Sequence, residues 1–402
     1  MAYRRILAQP NVLALCAASV LARLPVGMGS VALVIFLHDR TGSFGVAGLA
    51  AGAFTVGLGA TSPLLGRLVD RRGPRPVIIP AALVTALALV LVVVLTEAGA
   101  GTAALVAVSG LAGASTPPIG GLLRQLWPRL VGEDDLVGGY VIDSLLIEVF
   151  FVAGPLLTGA MAAVIGPASP LIAAACFGFL GALWFAAVPT VGGLERAQAE
   201  HRTRAGALAS PAIRLLVFTG VPIGISFGVF DVIYPAFGAD HGSSALGGPL
   251  IATTAIGSAI GALVYGSQAR RFRTAAQGSI ALALYQPLAV APLLLADSTA
   301  AMFALAALAG SYIAPASNLR NQIAQAAMPP GTGTEAFTWL ALSLTVGASA
   351  GAALAGPLVQ SSGWRVGALL AAGLPALWVP LILLRRELLH RAVPAERSAP
   401  AR

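Results

Sequence analysis

The sequence predicts an all-α membrane protein of twelve transmembrane helices in two pseudo-symmetric six-helix bundles. Three observations carry this: an apolar composition, twelve continuous apolar runs, and an internal repeat at close to half the chain length. The 402 residues are 57% hydrophobic and only 10% charged, with a mean hydropathy of +0.86. Soluble domains carry about 25% charged residues. A water-soluble fold of this size could not hide so much apolar surface, which excludes a cytosolic enzyme and a disordered chain.

A spanning helix needs roughly 20 apolar residues. In the first half, runs of that kind cover 10–37, 45–68, 76–95, 101–123, 137–163 and 168–188. In the second half they cover 212–237, 246–268, 275–296, 299–324, 334–359 and 365–384. Turn and charge signals separate them, such as His38-Asp39-Arg40, Glu97-Ala98-Gly99 and Asp240-His241-Gly242. The runs are continuous and not alternating, which excludes a strand barrel. Pro25, Pro155 and Pro222 fall inside runs, where neighbouring helices can satisfy the freed backbone groups. Arg4 and Arg5 before the first run resemble a signal peptide, but the run is too long and lacks a small-residue cleavage site. An uncleaved first helix is expected.

All 24 basic residues are arginine. With the first residue inside, the inside segments, the tails and the inner ends of the spans hold 21 of them, the outside connections hold Arg40 and Arg365, and Arg23 lies within span one. This is the positive-inside asymmetry. It predicts a multi-pass protein of the bacterial inner membrane with both termini cytoplasmic. It also explains the net charge of +8 without a nucleic-acid partner. The polar stretch 191–211 reads as a cytoplasmic linker between bundles at 1–190 and 212–402. Cys16 and Cys176 sit in apolar runs and form no disulfide framework. None of the four histidines lies in an apolar run, which argues against an intramembrane metal site or protease. No cofactor and no metal is expected, and the absence of lysine removes any phosphate-loop ATPase.

The repeat appears at nearly one offset. Pro25-x-Gly27 recurs as Pro222-x-Gly224, Pro118 and Gln125 as Pro315 and Gln322, and Ala153-Gly154 as Ala350-Gly351, all 197 residues apart. Gly66 recurs as Gly266 at an offset of 200. An even number of spans per unit preserves orientation, so the repeats are parallel.

The segment after span two, Gly66-Arg67-Leu68-Val69-Asp70-Arg71-Arg72-Gly73-Pro74-Arg75, resembles the motif G-x-L-x-D-R-x-G-R-[RK] of the major facilitator superfamily. Gly66, Leu68, Asp70, Arg71, Gly73 and Arg75 match, and Pro74 replaces a basic residue. The resemblance extends over the whole chain through the twelve spans. It implies that this loop latches the two bundles when the cavity opens outward. By residue chemistry, Gly66 would allow close helix approach and Asp70 would accept hydrogen bonds at a helix N-terminus or pair with arginine. Gly154-Pro155, with Gly159 behind, resembles the family's antiporter motif G-x-x-x-G-P-x-x-G-G, which implies export; Phe150 replaces its leading glycine.

Ionisable groups inside spans are costly and mark function by default. Arg23 in span one and Glu148 in span five are both expected near mid-membrane, close enough to pair. Glu148 is the first candidate for proton coupling, with Asp231 in span seven as the second. Asp143 and Glu335 are expected nearer the inner ends, where water could reach them. The resemblance implies that spans one, four, seven and ten line the cavity. On that basis Arg23, Ser115, Thr116, Asp231, Tyr234 and Tyr312 are candidate substrate contacts, with Tyr312 as the repeat equivalent of Ser115. The small-residue pairs Gly48/Gly52, Gly257/Gly261 and Gly347/Gly351 are expected at the sliding contact between bundles.

Together these features predict a monomeric secondary transporter, not an enzyme. It would move a small organic solute by alternating access, as a proton-coupled exporter of the drug or sugar efflux kind. Its partners are the small-molecule substrate, protons and the lipid bilayer. A proton-coupled uptake permease for a metabolite is the alternative within transport, and a non-transporting scaffold or receptor the alternative outside it.

Overall fold

The computed structural model describes residues 6–131, 136–192, 206–268, 275–329, 333–377 and 379–384. Among these there are helices and turns but no strand. The chain divides into two compact units, Met1–Glu200 and His201–Arg402.

In unit one, α1 spans Val12–Thr41, α2 Phe44–Arg72, α3 Arg75–Glu97, α4 Thr102–Ala114, α5 Ile119–Leu130, α6 Leu136–Val164 and α7 Ser169–Ala187, with a short α8 at Pro189–Gly192. In unit two, α9 spans Pro211–Asp240, α10 Gly247–Gln268, α11 Ala275–Val290, α12 Thr299–Gly310, α13 Ile313–Ala327, α14 Gly333–Ser362, α15 Trp364–Ala376 and α16 Val379–Leu384. Among the described residues, ten helical segments are long and apolar enough to cross a membrane, and Val149–Val164 adds a shorter apolar one.

The two units repeat each other element by element. Both begin with a 30-residue helix, α1 and α9, each carrying an internal proline at Pro25 and Pro222. In unit one α1 packs on α6 and α7, and α2 on α4; in unit two α9 packs on α14 and α15, and α10 on α12. Lipid offers no hydrophobic drive for helix association, so close backbone approach and dispersion must hold these pairs. Glycine makes that approach possible. A Cβ at Gly57 would overlap the Gly110 carbonyl, and one at Gly113 the Phe54 carbonyl, which fixes the α2–α4 crossing. Gly257 and Gly261 meet Ala307 and Ser311 in the same way at α10–α12.

The expected single helices of spans four and ten are each broken. Span four stops at Ala114 and restarts at Ile119 across Ser115-Thr116-Pro117-Pro118. The two prolines lack N–H groups and cannot continue the ladder. The Thr116 Oγ1 donates to the Ala112 carbonyl at 3.0 Å and the Thr61 Oγ1 to that of Ala114, so side chains satisfy the freed acceptors, while Ser115 Oγ adds a bond to the Leu111 carbonyl at 2.7 Å. Span ten is interrupted at Ser311-Tyr312, where Ser311 Oγ donates to the Leu308 carbonyl at 2.6 Å. A third helix supports each break: Ser115 hydrogen-bonds Thr85 Oγ1 at 3.0 Å, and Ser311 hydrogen-bonds Tyr285 Oη at 2.8 Å. These matched partners make Ser311 the counterpart of Ser115. The register is therefore one residue from the sequence alignment, which paired Ser115 with Tyr312.

Candidate functional site

Each unit buries a guanidinium beside its first helix. In unit one, Arg23 leaves α1 toward α5 and α6. Its guanidinium lies against Gly120, where a Cβ would stand 3.0 Å from Nη2, and over the Phe150 ring at 4.6 Å from the centroid. Its acidic neighbour is Asp143 of α6, at 3.8 Å from Nη1 to Oδ1. Asp143 is 1% exposed and accepts a 2.7 Å hydrogen bond from Arg124 Nε. Two cations thus share one buried carboxylate. Neither Arg23 Nη1 nor Asp143 Oδ1 has a hydrogen-bond partner among the described residues, so the 3.8 Å gap separates two unsatisfied groups.

This corrects one expectation. Asp143 is buried and ion-paired, not solvated, because α1 and α5 bring two arginines onto it. It is also the carboxylate that faces Arg23. The side chain of Glu148, proposed as that partner, lies outside the described residues, as do those of Asp70 and Glu335.

In unit two, Arg320 leaves α13 toward α9 and α14. It is 7% exposed, and its Nη2 donates to the Leu216 carbonyl at 3.1 Å and to Ser343 Oγ at 3.4 Å. Gly220 of α9 makes room for it: a Cβ there would collide with both Nη2 and Ser343 Oγ. Sequence reasoning missed this residue, counting it with the inside arginines. The signal was present, since Arg320 lies four residues before the expected end of span ten. Arg320 lines a cavity of about 60 Å³ together with Thr219, Ser279, Gln286 and Tyr312. Tyr312 is fully buried, and its hydroxyl accepts from Gln286 Nε2 at 3.3 Å. That Gln286 nitrogen also donates to Ser226 Oγ at 3.2 Å, which in turn donates to the Ala371 carbonyl.

The other candidates are placed as follows. Tyr234 is fully buried and hydrogen-bonds Thr254 Oγ1 at 3.0 Å while stacking on Phe230, so its hydroxyl is already committed to packing α9 on α10. Asp231, on the same helix, is half-buried and has a partner. Ser115 supports the break in span four, and Thr116 lines a small second cavity of about 10 Å³ with Pro25 and Thr85. Gly154 packs against Gly27, closing α6 on α1, with Pro155 and Gly159 buried beside it.

The motif after span two is helical and not a loop up to Arg72, because nothing before Gly73 breaks the α2 ladder. Gly73 supplies the stop with φ of 87°. Asp70 therefore lies in the last turn of α2 and not at a helix N-terminus. Arg71 is exposed, and Arg75 Nε donates to the Ala186 carbonyl at 2.8 Å, satisfying the end of α7. Within its own unit, no described atom lies within 4 Å of a Cβ placed at Gly66. Within the unit, α2 makes its close approach at Gly57 and through Phe54 against Gly113. Likewise Gly257/Gly261 and Gly347/Gly351 are used inside unit two, the latter pair against Val221 and Ile225 of α9.

The chain is 29% identical over 295 residues to the uncharacterized MFS-type transporter y4rN of Sinorhizobium fredii (strain NBRC 101917 / NGR234), covering 66% of this chain and 68% of that protein. Among solved structures, a point mutant of the nucleoside transporter NupG matches with a TM-score of 0.78 at 13% identity, over 92% of this chain and 98% of that one. A POT family transporter in complex with 5-aminolevulinic acid matches with a TM-score of 0.72 at 12% identity, over 95% of this chain and 97% of that one. These likenesses concern the fold. The sequence profile of the Major Facilitator Superfamily matches residues 15–331. With twin helical units, apolar spans and that match, the chain belongs to the major facilitator superfamily and is a multi-pass membrane transporter, not an enzyme.

Proposed function

We propose that this transporter is a secondary one that exchanges protons for a small organic solute by alternating access and works in the direction of export across the bacterial inner membrane. The observation that carries the coupling is Asp143, a buried carboxylate shared by Arg23 and Arg124. A proton on Asp143 would release both guanidiniums to other partners, and its loss would draw them back. The cluster thus has two arrangements distinguished by one proton, which is what coupling to a conformational equilibrium requires. Glu148, one turn and a residue further along α6, is the second candidate on the same helix. Export is read from Gly154-Pro155, where α6 crosses α1 backbone to backbone.

The test is flux in proteoliposomes under an imposed pH gradient, with a panel of candidate solutes. Asp143→Asn and Glu148→Gln are compared with wild type for gradient-driven transport and for solute exchange without a gradient. The coupling residue is the one whose loss abolishes the first while sparing the second. Unimpaired gradient-driven transport in both variants would overturn the coupling assignment. Accumulation in right-side-out and not in inverted vesicles would overturn export in favour of uptake.

A further inference from the structure

The cavity in unit two sets a buried positive charge beside open space. It lies between α9, α11, α13 and α15. We propose that this cavity receives the carboxylate of a small, singly charged organic acid, held by the guanidinium of Arg320. The inference rests on the transporter reading only in calling that acid cargo; the binding itself stands without it.

The donor set is incomplete without a ligand. Both described hydrogen bonds of Arg320 leave from Nη2, although a guanidinium has five N–H donors. Its Nε is buried and has no partner among the described residues. No described carboxylate lies within 4.0 Å of it, whereas Arg23, Arg40 and Arg124 of unit one each have one. A buried charge left unpaired is strongly unfavourable. Part of that cost is met by the Leu216 carbonyl and Ser343, and an entering anion would meet the rest. The sequence also makes room for the group, since any side chain at position 220 would displace the guanidinium.

The walls narrow the ligand class. Among the described residues, Arg320 is the only charged one lining the cavity, so the site balances one negative charge and not the two of a phosphate monoester. A planar guanidinium matches a carboxylate as a two-point acceptor. The polar lining is Thr219, Ser279, Gln286 and Tyr312; Thr219 already donates to the Leu215 carbonyl and Gln286 to Ser226 and Tyr312, so the guanidinium is the principal donor, and the remaining lining is leucine, alanine, isoleucine and proline. A volume of about 60 Å³ suits a carboxyl group with a few carbons behind it.

The experiment uses the full chain in lipid nanodiscs and reads thermal unfolding against titrated probes. Sodium propionate should raise the unfolding temperature saturably, as a ligand of the folded state does. Propionamide and sodium chloride at equal concentrations should not. Arg320→Gln should weaken propionate binding about tenfold to a hundredfold. Arg320→Lys, which keeps the charge but not the fork, should fall between. Propionamide stabilising as well as propionate would overturn the assignment, and so would an Arg320→Gln protein that keeps the full response. Sodium phosphate outperforming propionate would overturn the single-charge class. The propionate and propionamide comparison needs only wild type, so a variant that fails to fold does not remove the test. A wild-type protein that binds propionate but shows no proton-driven flux of any solute overturns the coupling reading alone; proton-driven flux without propionate binding overturns this inference alone.

Discussion

In unit one a guanidinium enters the core from the first helix, at Arg23, and finds Asp143 waiting on α6. In unit two the first helix carries Gly220 at the repeat-equivalent position, and the guanidinium comes from the opposite side, from Arg320 on α13. The glycine and the arginine have exchanged helices: Gly120 accommodates Arg23, and Gly220 accommodates Arg320. What did not follow is the counter-charge. Leu340 stands 197 residues after Asp143, so unit one neutralises its cation internally while unit two has no described acid to do so. One scaffold thus yields a closed ionic cluster in one half and an open cationic site in the other.

The sharpest way to break this comparison is to neutralise each side. Asp143→Asn leaves Arg23 facing an uncharged amide, and losing one partner of a buried pair costs about 3–5 kcal/mol. Arg320→Gln removes a charge with no described carboxylate partner and should cost no more than about 1 kcal/mol, for the lost bond to the Leu216 carbonyl. Thermal or denaturant unfolding in nanodiscs measures both. Equal losses would mean that the second site is as closed as the first.

Glycine packing gives the next effect. Gly228→Ala would drive a methyl into the Ala348 carbonyl at the α9–α14 crossing, and should cost about 2 kcal/mol. Gly66→Ala meets no described neighbour in its own unit and lies within α2, so it should be neutral or stabilising by up to about 1 kcal/mol. If Gly66→Ala abolished transport while unfolding stayed unchanged, the latch role implied by its motif would gain direct support.

The matched hydrogen bonds at the broken spans sharpen the symmetry. Thr85→Val and Tyr285→Phe should each cost about 1 kcal/mol, by nearly equal amounts, because each removes one partner from a serine that keeps its backbone contact. A large inequality would show that the two breaks are held differently. Smallest of all are the exposed pairs Arg40–Glu97 and Arg365–Asp297, both at 3.0 Å. Arg40→Gln and Arg365→Gln should each change stability by about 0.5 kcal/mol or less, and the difference should vanish in high salt.

Hydropathy exposed the spans because each must match the bilayer by composition, so the helices from Val12 to Ser362 were legible one by one. The repeat was legible because glycines such as Gly27 and Gly224 occupy backbone-to-backbone contacts that no other residue fits. The ion partners were less so. Asp143 reads as an inner-end charge open to water, because depth along a helix does not fix which face is buried, and the structure sets it against Arg23. Helix breaks were hidden too: Pro117-Pro118 marks one plainly, but Ser311-Tyr312 carries no proline and reads as continuous. Arg320 was masked by the asymmetry of arginines that reveals topology, since an arginine near a span end looks like any other inside charge.

The interruption at Ser115–Pro118 turns span four into two short rods joined by an elbow. Bending an unbroken helix would open ladder bonds in an environment that offers no replacement. At the elbow Pro117 and Pro118 bring no N–H, and hydroxyl groups already hold the carbonyls of Ala112 and Ala114. The angle between the rods is therefore soft where the rest of the span is stiff. At the second elbow the pivot residue is Tyr312, whose side chain forms part of the cavity wall. A molecule filling that space would therefore press directly on the joint.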